Sequence, residues 1–292
     1  MGLNELVFGS LTVLGIVVFL FVGRFRANRS QRERADRLRW NAVDKEQSSE
    51  KKSWISMGVV GGTNCDRLVP AEAAVRLDDP TCGWAYVDQR HACPGLHQLV
   101  DLRSRIVKRP LLTTLEVLLA PVLGQQSTHL VTGYVHKPYA PIYAMLARKA
   151  GFASAAIVRG VEGGVIASLN QPSKLLRFTA DRDNEEIRLD PALASITSQT
   201  RAVPLPDVLS PASAQSEQPD HNDMHRRALA TAQAGRLALA GVPGPMCDSL
   251  IYGAAVCLLH RGVENSLEGA SATVRSVLDS GQPTAHFDAG CH

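Results

Sequence analysis

Two short basic segments contain the side chains that could bind an anionic substrate. The first follows the apolar run 130–135, and the second follows the apolar run 155–158. Their members are His136, Lys137 and Tyr139 in the first segment, and Arg159, Gly160, Glu162, Gly163 and Gly164 in the second. Lysine and arginine bring positive charge, and glycines let the backbone approach a ligand closely. We therefore predict that these residues bind substrate.

The spacing around these segments predicts a strand, a crossover helix and a second strand. Residues 130–135 are β-branched and aromatic, as strands favour, and Pro138 blocks continuation of the strand. Apolar residues then recur at helical spacing before Gly151, at Ile142, Leu146, Ala147 and Ala150. A strand–helix–strand unit of this length builds a parallel sheet, and ligands bind beyond the carboxyl ends of such strands. The two basic segments should therefore border one crevice.

The composition is that of a globular protein. With 292 residues and 45% hydrophobic residues, the chain can bury the core of one large domain or two modest ones. A net charge of +3 is too small to indicate a polyanionic partner for the molecule as a whole. The six cysteines form no Cys-x-x-Cys pair, which favours free thiols in a reducing compartment and hence a cytoplasmic location.

The N-terminal part of the chain combines an apolar run with a basic one. Residues 6–23 are eighteen uncharged residues, just long enough to cross a bilayer as a helix. Seven arginines and two acids follow in residues 24–39, the arginines being Arg24, Arg26, Arg29, Arg32, Arg34, Arg37 and Arg39. One hypothesis is a membrane anchor at 1–23 with the arginines on the cytoplasmic side, in contact with anionic lipid. The alternative is a buried helix and strand of the soluble domain, broken at Gly15.

The rest of the chain is predicted to contain a linker, a helical region and an α/β domain. Residues 24–54 form the basic and polar linker, and residues 55–127 form the helical region and domain connection. Helices are predicted near 70–79, 94–107 and 111–119. Residues 128–292 form the α/β domain, with a hairpin turning at 181–184 and helices at 224–240, 245–260 and 266–278. The expected fold class is α/β, an open and mostly parallel sheet flanked by helices, with a reduced helical domain and an N-terminal apolar segment.

Four sequence blocks carry a family resemblance. In chain order they are HACPGLHQLVDLRSRIVKRPLLTTLEVLLAPVLG, VTGYVHKPYAPIYAMLARKAGFASAAIVRGVEGG, GPMCDSLIYGAAVCLLHRG and ASATVRSVLDSGQPTAHFD. Together they resemble the C-terminal portion of the anthranilate phosphoribosyltransferase family, a glycosyltransferase family related to pyrimidine nucleoside phosphorylases, in a divergent form that extends from about Met57 to Asp288. The resemblance implies a small helical domain and a larger α/β domain with the active site in the cleft between them. A homodimer is a further expectation.

The resemblance also assigns a residue to the acceptor substrate. In the family, an arginine on the helix after the His-Pro block contacts the aromatic acid, and the matching position here is Arg103. A guanidinium binds a carboxylate through two parallel hydrogen bonds, so this residue type suits the role. The alternative is a helix-surface arginine in a solvated ion pair with Asp101.

Two features of the family are replaced in this chain. The family holds the diphosphate of phosphoribosyl pyrophosphate in a Gly-Thr-Gly-Gly turn near the N-terminus, whereas the glycine-rich segment 58–63 falls at a different place and is more simply a turn. The family's Asp-Glu pair, which holds Mg²⁺ against the diphosphate, matches Val165 and Ile166. Aliphatic side chains cannot ligate a hard cation, so Glu162 is left to supply one carboxylate.

These observations leave two main hypotheses for the function. The first is a phosphoribosyltransferase-like protein that transfers a pentosyl group from phosphoribosyl pyrophosphate to an aromatic amine such as anthranilate, as in tryptophan biosynthesis, or that has lost this activity. The second is a non-catalytic nucleic-acid-binding protein on the same fold, which would contact phosphates through the arginines of residues 24–39.

Overall fold

The computed structural model describes residues 54–57, 70–78, 84, 85, 87, 92–99, 102, 115, 117–124, 126–204 and 221–289. None of the helices in these ranges combines the length and the apolar character needed to cross a bilayer. The hypothetical anchor at 1–23, the arginine-rich segment 24–39 and Arg103 lie outside the described residues.

A five-stranded mixed sheet forms the centre of the fold. The strands are β1 (Trp54–Met57), β2 (Thr128–Gly133), β3 (Ser154–Val158), β4 (Ser173–Thr179) and β5 (Arg182–Leu189), and they lie in the order β1-β2-β3-β4-β5. Strands β1, β2 and β3 run parallel, and the β4–β5 hairpin adds two antiparallel strands. Residues 128–132 of β2 and all of β3 are buried, as is typical of parallel strands covered on both faces. The predicted α/β class is thus confirmed.

Helices flank this sheet. They are α1 (Pro70–Asp78), α2 (Pro94–His97), α3 (Tyr139–Lys149), α4 (His221–Leu239), α5 (Pro245–Arg261), α6 (Leu267–Asp279) and α7 (Gln282–Ala289). Alternate residues of β3 enter two different core clusters, because successive side chains of a strand point to opposite faces. Ala155 and Ile157 pack with α3, whereas Ala156 and Val158 pack with α5.

The crossover helix α3 confirms the strand–helix–strand unit. Its buried residues are Ala140, Tyr143, Ala144 and Ala147, whereas Ile142 is 40% exposed. The small alanines let the helix pack closely on β3 and β4. The helix gives way to Gly151, whose φ of 87° is readily adopted by glycine.

The helices after the sheet build most of the larger core cluster. Helix α5 is buried along most of its length and is followed by Gly262 at φ 67°. Helix α6 is capped by Ser266, whose Oγ accepts a hydrogen bond from the Gly269 backbone N–H at 3.0 Å. The helices predicted near these positions are confirmed to within a few residues, while α7 is an additional helix.

Helix α7 connects the segment between β1 and β2 to the C-terminal helices. The rings of Trp84 and Phe287 stack with their centroids 5.2 Å apart. The Trp84 Nε1–H donates a hydrogen bond to the carbonyl oxygen of His286 at 3.0 Å. Both aromatic side chains are buried in the larger core cluster, so this contact holds two distant parts of the chain together.

Candidate functional site

The carboxyl ends of β2 and β3 bring the two basic segments together. Gly133 lies opposite Val158 in the parallel register, so the chain leaves both strands at the same edge of the sheet. The Tyr134 backbone N–H also donates to the carbonyl oxygen of Val158 at 2.9 Å. The side chains of His136, Lys137, Tyr139 and Arg159 at this edge are exposed, and together we call them the rim. The arrangement is the one that the spacing predicted, while the role of these residues in substrate binding remains a prediction.

The backbone N–H groups of the glycine-rich turn after β3 form hydrogen bonds within the turn and to the end of the strand. Residues Val161–Gly163 form a 3₁₀ turn in which Glu162 and Gly163 have φ values of 54° and 80°. The backbone N–H groups of Gly160, Val161, Gly163 and Gly164 donate to the carbonyl oxygens of Val158, Ile166, Gly160 and Val161, respectively, at 2.9 to 3.3 Å. These four amides are therefore committed to the turn itself.

Two glycines are required because this turn lies directly on the strand ends. A Cβ atom added to Gly133 or to Gly160 would overlap the carbonyl oxygen of Gly164. Gly163 and Gly164 are both buried against the sheet. The turn therefore fills the space between the ends of β2 and β3, and the absence of side chains at these positions serves close packing.

Arg159 projects from a fixed backbone position at the rim. Its backbone N–H donates to the Lys174 carbonyl oxygen at 2.8 Å, and its own carbonyl oxygen accepts from the Ser173 hydroxyl at 2.6 Å. The guanidinium makes no ion pair with another residue that the structure describes. On the neighbouring loop, the rings of His136 and Tyr139 are tilted by 45° with centroids 6.3 Å apart. The rim thus presents positive charge to an incoming ligand.

Tyr134 is a residue of this edge that sequence reasoning missed. Its side chain is only 6% exposed, and burial raises the pKa of its hydroxyl. The positive charges of Arg159 and Lys174 act on this pKa in the opposite direction, while the Glu186 carboxylate adds to the rise. The raised pKa means that the hydroxyl stays protonated. The signal in the sequence is its position directly after the strand, in GYVHKPY.

The two positions to which the resemblance assigns the metal ligands, Val165 and Ile166, lie in or against the hydrophobic core. Ile166 is 4% exposed within the larger cluster, and Val165 packs against the same cluster. Mg²⁺ is bound by oxygen ligands, and Glu162 is the one carboxylate between positions 159 and 166. In the part of the chain that is described, no group of three histidine, cysteine or acidic side chains could hold a metal ion. This turn therefore does not fit a metal-bound diphosphate.

A second polar cluster, which was also not predicted, lies at the amino-terminal ends of the parallel strands, opposite the rim. The Arg261 guanidinium donates to Nδ1 of His129 at 2.8 Å, so Nε2 of His129 carries the ring proton and donates to Ser127 Oγ at 2.8 Å. Ser154 Oγ lies 2.7 Å from His129 Nδ1 and 2.9 Å from His260 Nε2. Burial, reinforced by the charge of Arg261, lowers the pKa of His129 to about 2 and that of His260 to about 3. Both imidazoles are therefore neutral.

Solved structures identify what this fold is similar to. Anthranilate phosphoribosyltransferase from Saccharomyces cerevisiae superposes with a TM-score of 0.64 at 15% identity, covering 99% of this chain and 70% of that protein. The same yeast enzyme in complex with PRPP and Mg gives a TM-score of 0.59 over 78% of this chain and 59% of that one. The enzyme from Thermus thermophilus gives 0.57 at 17% identity, over 99% and 72% of the two chains. At this level of identity, the similarity shows the fold alone.

Comparisons of the sequence identify no family, but they do identify a partial relative. No protein-family model matches the chain. An uncharacterized protein of Aquifex aeolicus (strain VF5) is 30% identical over 102 residues, which are 35% of this chain and 32% of that protein. The chain thus matches less than two thirds of the length of this relative.

Proposed function

We propose that this chain is a phosphoribosyltransferase-like protein whose rim binds the phosphorylated ribose of its substrate. The observation that carries the proposal is the placement of Lys137 and Arg159 on adjacent loops at the carboxyl ends of two parallel strands, where ligands of open α/β sheets bind. The similarity of the fold to anthranilate phosphoribosyltransferases supports it. A guanidinium and an ammonium on adjacent loops are suited to phosphate oxygens.

The proposed reaction is attack of an aromatic amine on C1 of the ribose, with departure of pyrophosphate. Positioning of the two reactants supplies most of the rate in a reaction of this kind. The rim would hold the sugar phosphate, and Arg103 would orient the carboxylate of an acceptor such as anthranilate. Structures of the yeast enzyme in complex with PRPP and Mg and with 4-fluoroanthranilate support this choice of substrates.

The experiment combines binding with turnover on the full chain. Phosphoribosyl pyrophosphate is added with and without MgCl₂, and the thermal unfolding midpoint is measured, because a ligand at a hundred times its Kd stabilises a protein by about 2.7 kcal/mol. The same mixtures with anthranilate are analysed by mass spectrometry for the phosphoribosylated product. We expect stabilisation and product with the wild type, and a marked loss of both with Arg159→Gln.

The matched control is Lys149→Gln, which removes one exposed positive charge at the far end of α3. It should behave as the wild type. Stabilisation without product would restrict the function to binding and contradict the transferase activity. Absence of both stabilisation and product would contradict the proposal as a whole.

A further inference from the structure

We infer that the rim binds a phosphate ester without a divalent metal ion, with Arg159 and Lys137 balancing the charge of the phosphate. This inference rests on the proposed function and narrows it to a ligand class, a sugar monophosphate group held by side chains. It differs from what the resemblance implies, which is a diphosphate held through Mg²⁺.

The backbone N–H groups of the glycine-rich turn are already hydrogen-bonded. A phosphate-binding loop offers several unpaired N–H groups that converge on the anion. Here the amides of Gly160, Val161, Gly163 and Gly164 already donate to carbonyl oxygens of the strand end or the turn. Binding a diphosphate through them would require those hydrogen bonds to break. The backbone of this turn is therefore not a phosphate cradle.

The space beside the glycines of this turn is also filled. In a phosphate loop, glycines leave room that the ligand occupies. The room left by Gly133 and Gly160 is instead occupied by the carbonyl oxygen of Gly164. A carbonyl oxygen carries partial negative charge, so it also repels an anion. A ligand is thus kept above the turn, at the level of the exposed side chains.

The turn also lacks the carboxylate pair that the resemblance implies for a metal. Mg²⁺ at a phosphate site is bound through one or two carboxylates together with the phosphates. Ile166 is buried in the core and Val165 packs on it, and an aliphatic side chain offers no oxygen to a cation. Within the turn, the one carboxylate is that of Glu162, a residue with a φ of 54°. The turn therefore does not reproduce the carboxylate pair that would hold Mg²⁺ against a diphosphate.

The exposed basic side chains at this edge, those of Arg159 and Lys137, are hydrogen-bond donors that carry positive charge. The backbone of Arg159 is hydrogen-bonded to Lys174 and Ser173 of β4, so the point from which its side chain extends is fixed. Lys137 is exposed on the adjacent loop. A guanidinium pairs with two oxygens of one phosphate group, and a lysine adds a point charge. This donor set matches a phosphate monoester and needs no metal.

The test measures the affinity of the full chain for ribose 5-phosphate by isothermal titration calorimetry, once in EDTA and once in MgCl₂. We expect the same Kd in both buffers. Arg159→Gln and Lys137→Gln should each weaken binding by about tenfold or more, since a hydrogen bond to a charged group is lost. Lys149→Gln serves as the matched control and should leave the Kd unchanged, and the unfolding midpoint of each variant verifies that it is folded.

Each outcome separates this inference from the proposed function. Binding that appears only with MgCl₂ would overturn the inference and leave the proposed function standing. Binding in EDTA that neither rim variant weakens would overturn the assignment of the phosphate to Arg159 and Lys137. Failure of both ribose 5-phosphate and phosphoribosyl pyrophosphate to bind in either buffer would overturn the proposed function, and the inference with it.

Discussion

The hydroxyl oxygen of Ser154 lies 2.9 Å from Nε2 of His260, a residue 106 positions further along the chain. Ser154 is the first residue of β3, and His260 lies in the last turn of α5. Both side chains are buried, and His129 of β2 contacts the same hydroxyl. The contact therefore joins the amino-terminal edge of the parallel strands to the most deeply buried helix, at the end of the sheet opposite the rim.

This cluster predicts that the protein loses stability in acid. The pKa values of His129 and His260 are lowered to about 2 and about 3 in the folded protein, so both residues take up protons in the unfolded chain first. The stability that the two neutral imidazoles contribute is fully present above the unfolded-state pKa of about 6.5. It is lost progressively as the pH falls from there towards 3. Between pH 7.5 and pH 5 the expected loss is about 2 kcal/mol per imidazole, as an upper value.

Urea denaturation at a series of pH values measures this effect. His260→Gln should flatten the dependence of the unfolding free energy on pH, even where the variant is less stable at neutral pH. Ser276→Ala on the exposed face of α6, which removes no titratable group, should leave the dependence as it is. An unfolding free energy that stays constant between pH 7.5 and pH 5 would contradict the neutral state of the two buried imidazoles.

Removing the Ser154 hydroxyl should destabilise the fold. In Ser154→Ala, Nε2 of the buried His260 loses its partner, and a buried polar atom left without a hydrogen bond costs about 1–3 kcal/mol. The matched control is Ser276→Ala on the exposed face of α6, which should change stability by less than about 0.5 kcal/mol. Equal urea midpoints for the two variants would show that the hydroxyl contributes nothing to stability.

Alanine at Gly160 should be strongly unfavourable. The added Cβ would meet the carbonyl oxygen of Gly164, which belongs to backbone and cannot rotate away. We expect a loss of about 1–3 kcal/mol from overpacking, together with displacement of the turn. Gly95→Ala is the control, since a Cβ there has nothing within 4 Å. If thermal unfolding shows the two variants to be equally stable, the turn does not lie against the strand ends as described.

The stacking of Trp84 on Phe287 should stabilise the packing of α7 on the core. Phe287→Ala removes a buried ring from the larger core cluster and should cost about 3–5 kcal/mol. Leu193→Ala truncates a side chain that is 55% exposed and should be nearly neutral. Guanidinium denaturation followed by far-UV circular dichroism compares them. A neutral Phe287→Ala variant would mean that α7 is not docked on the core.

Local sequence patterns predicted the strand–helix–strand unit and the C-terminal helices, because the residues that delimit these elements lie close together in the sequence. The strand–helix–strand unit was recognisable because the two apolar runs, Pro138 and Gly151 lie within a few tens of residues. Helices α5 and α6 were bounded by Gly262 and Gly281, whose φ values of 67° and 71° explain why glycine occurs there. The adjacency of the two basic segments follows from the same unit, because parallel strands joined by one helix end at the same edge.

The features that sequence reasoning missed depend on distant or subtle contacts. The spacing of apolar residues predicted the helix α3 but not which of them are buried: Ala144 and Ala147 pack on the sheet, whereas Ile142 is exposed. The contact between His129 and His260 through Ser154 joins parts of the chain that no periodicity connects. Its only trace in the sequence is a histidine beside apolar residues, in HLVTG and in LLHRG.

The position of β1 in the sequence determines when this strand can pair during synthesis on the ribosome. Trp54 lies opposite Thr128, so the first strand waits for 74 further residues to be synthesised before its partner exists. The hairpin of β4 and β5 closes across Ala180 and Asp181 as soon as it is made. Until translation has passed Gly133, the N–H and C=O groups of β1 are available to other nascent chains or to chaperones. Of the five strands, β1 is thus the one that is left without a partner for the longest stretch of synthesis.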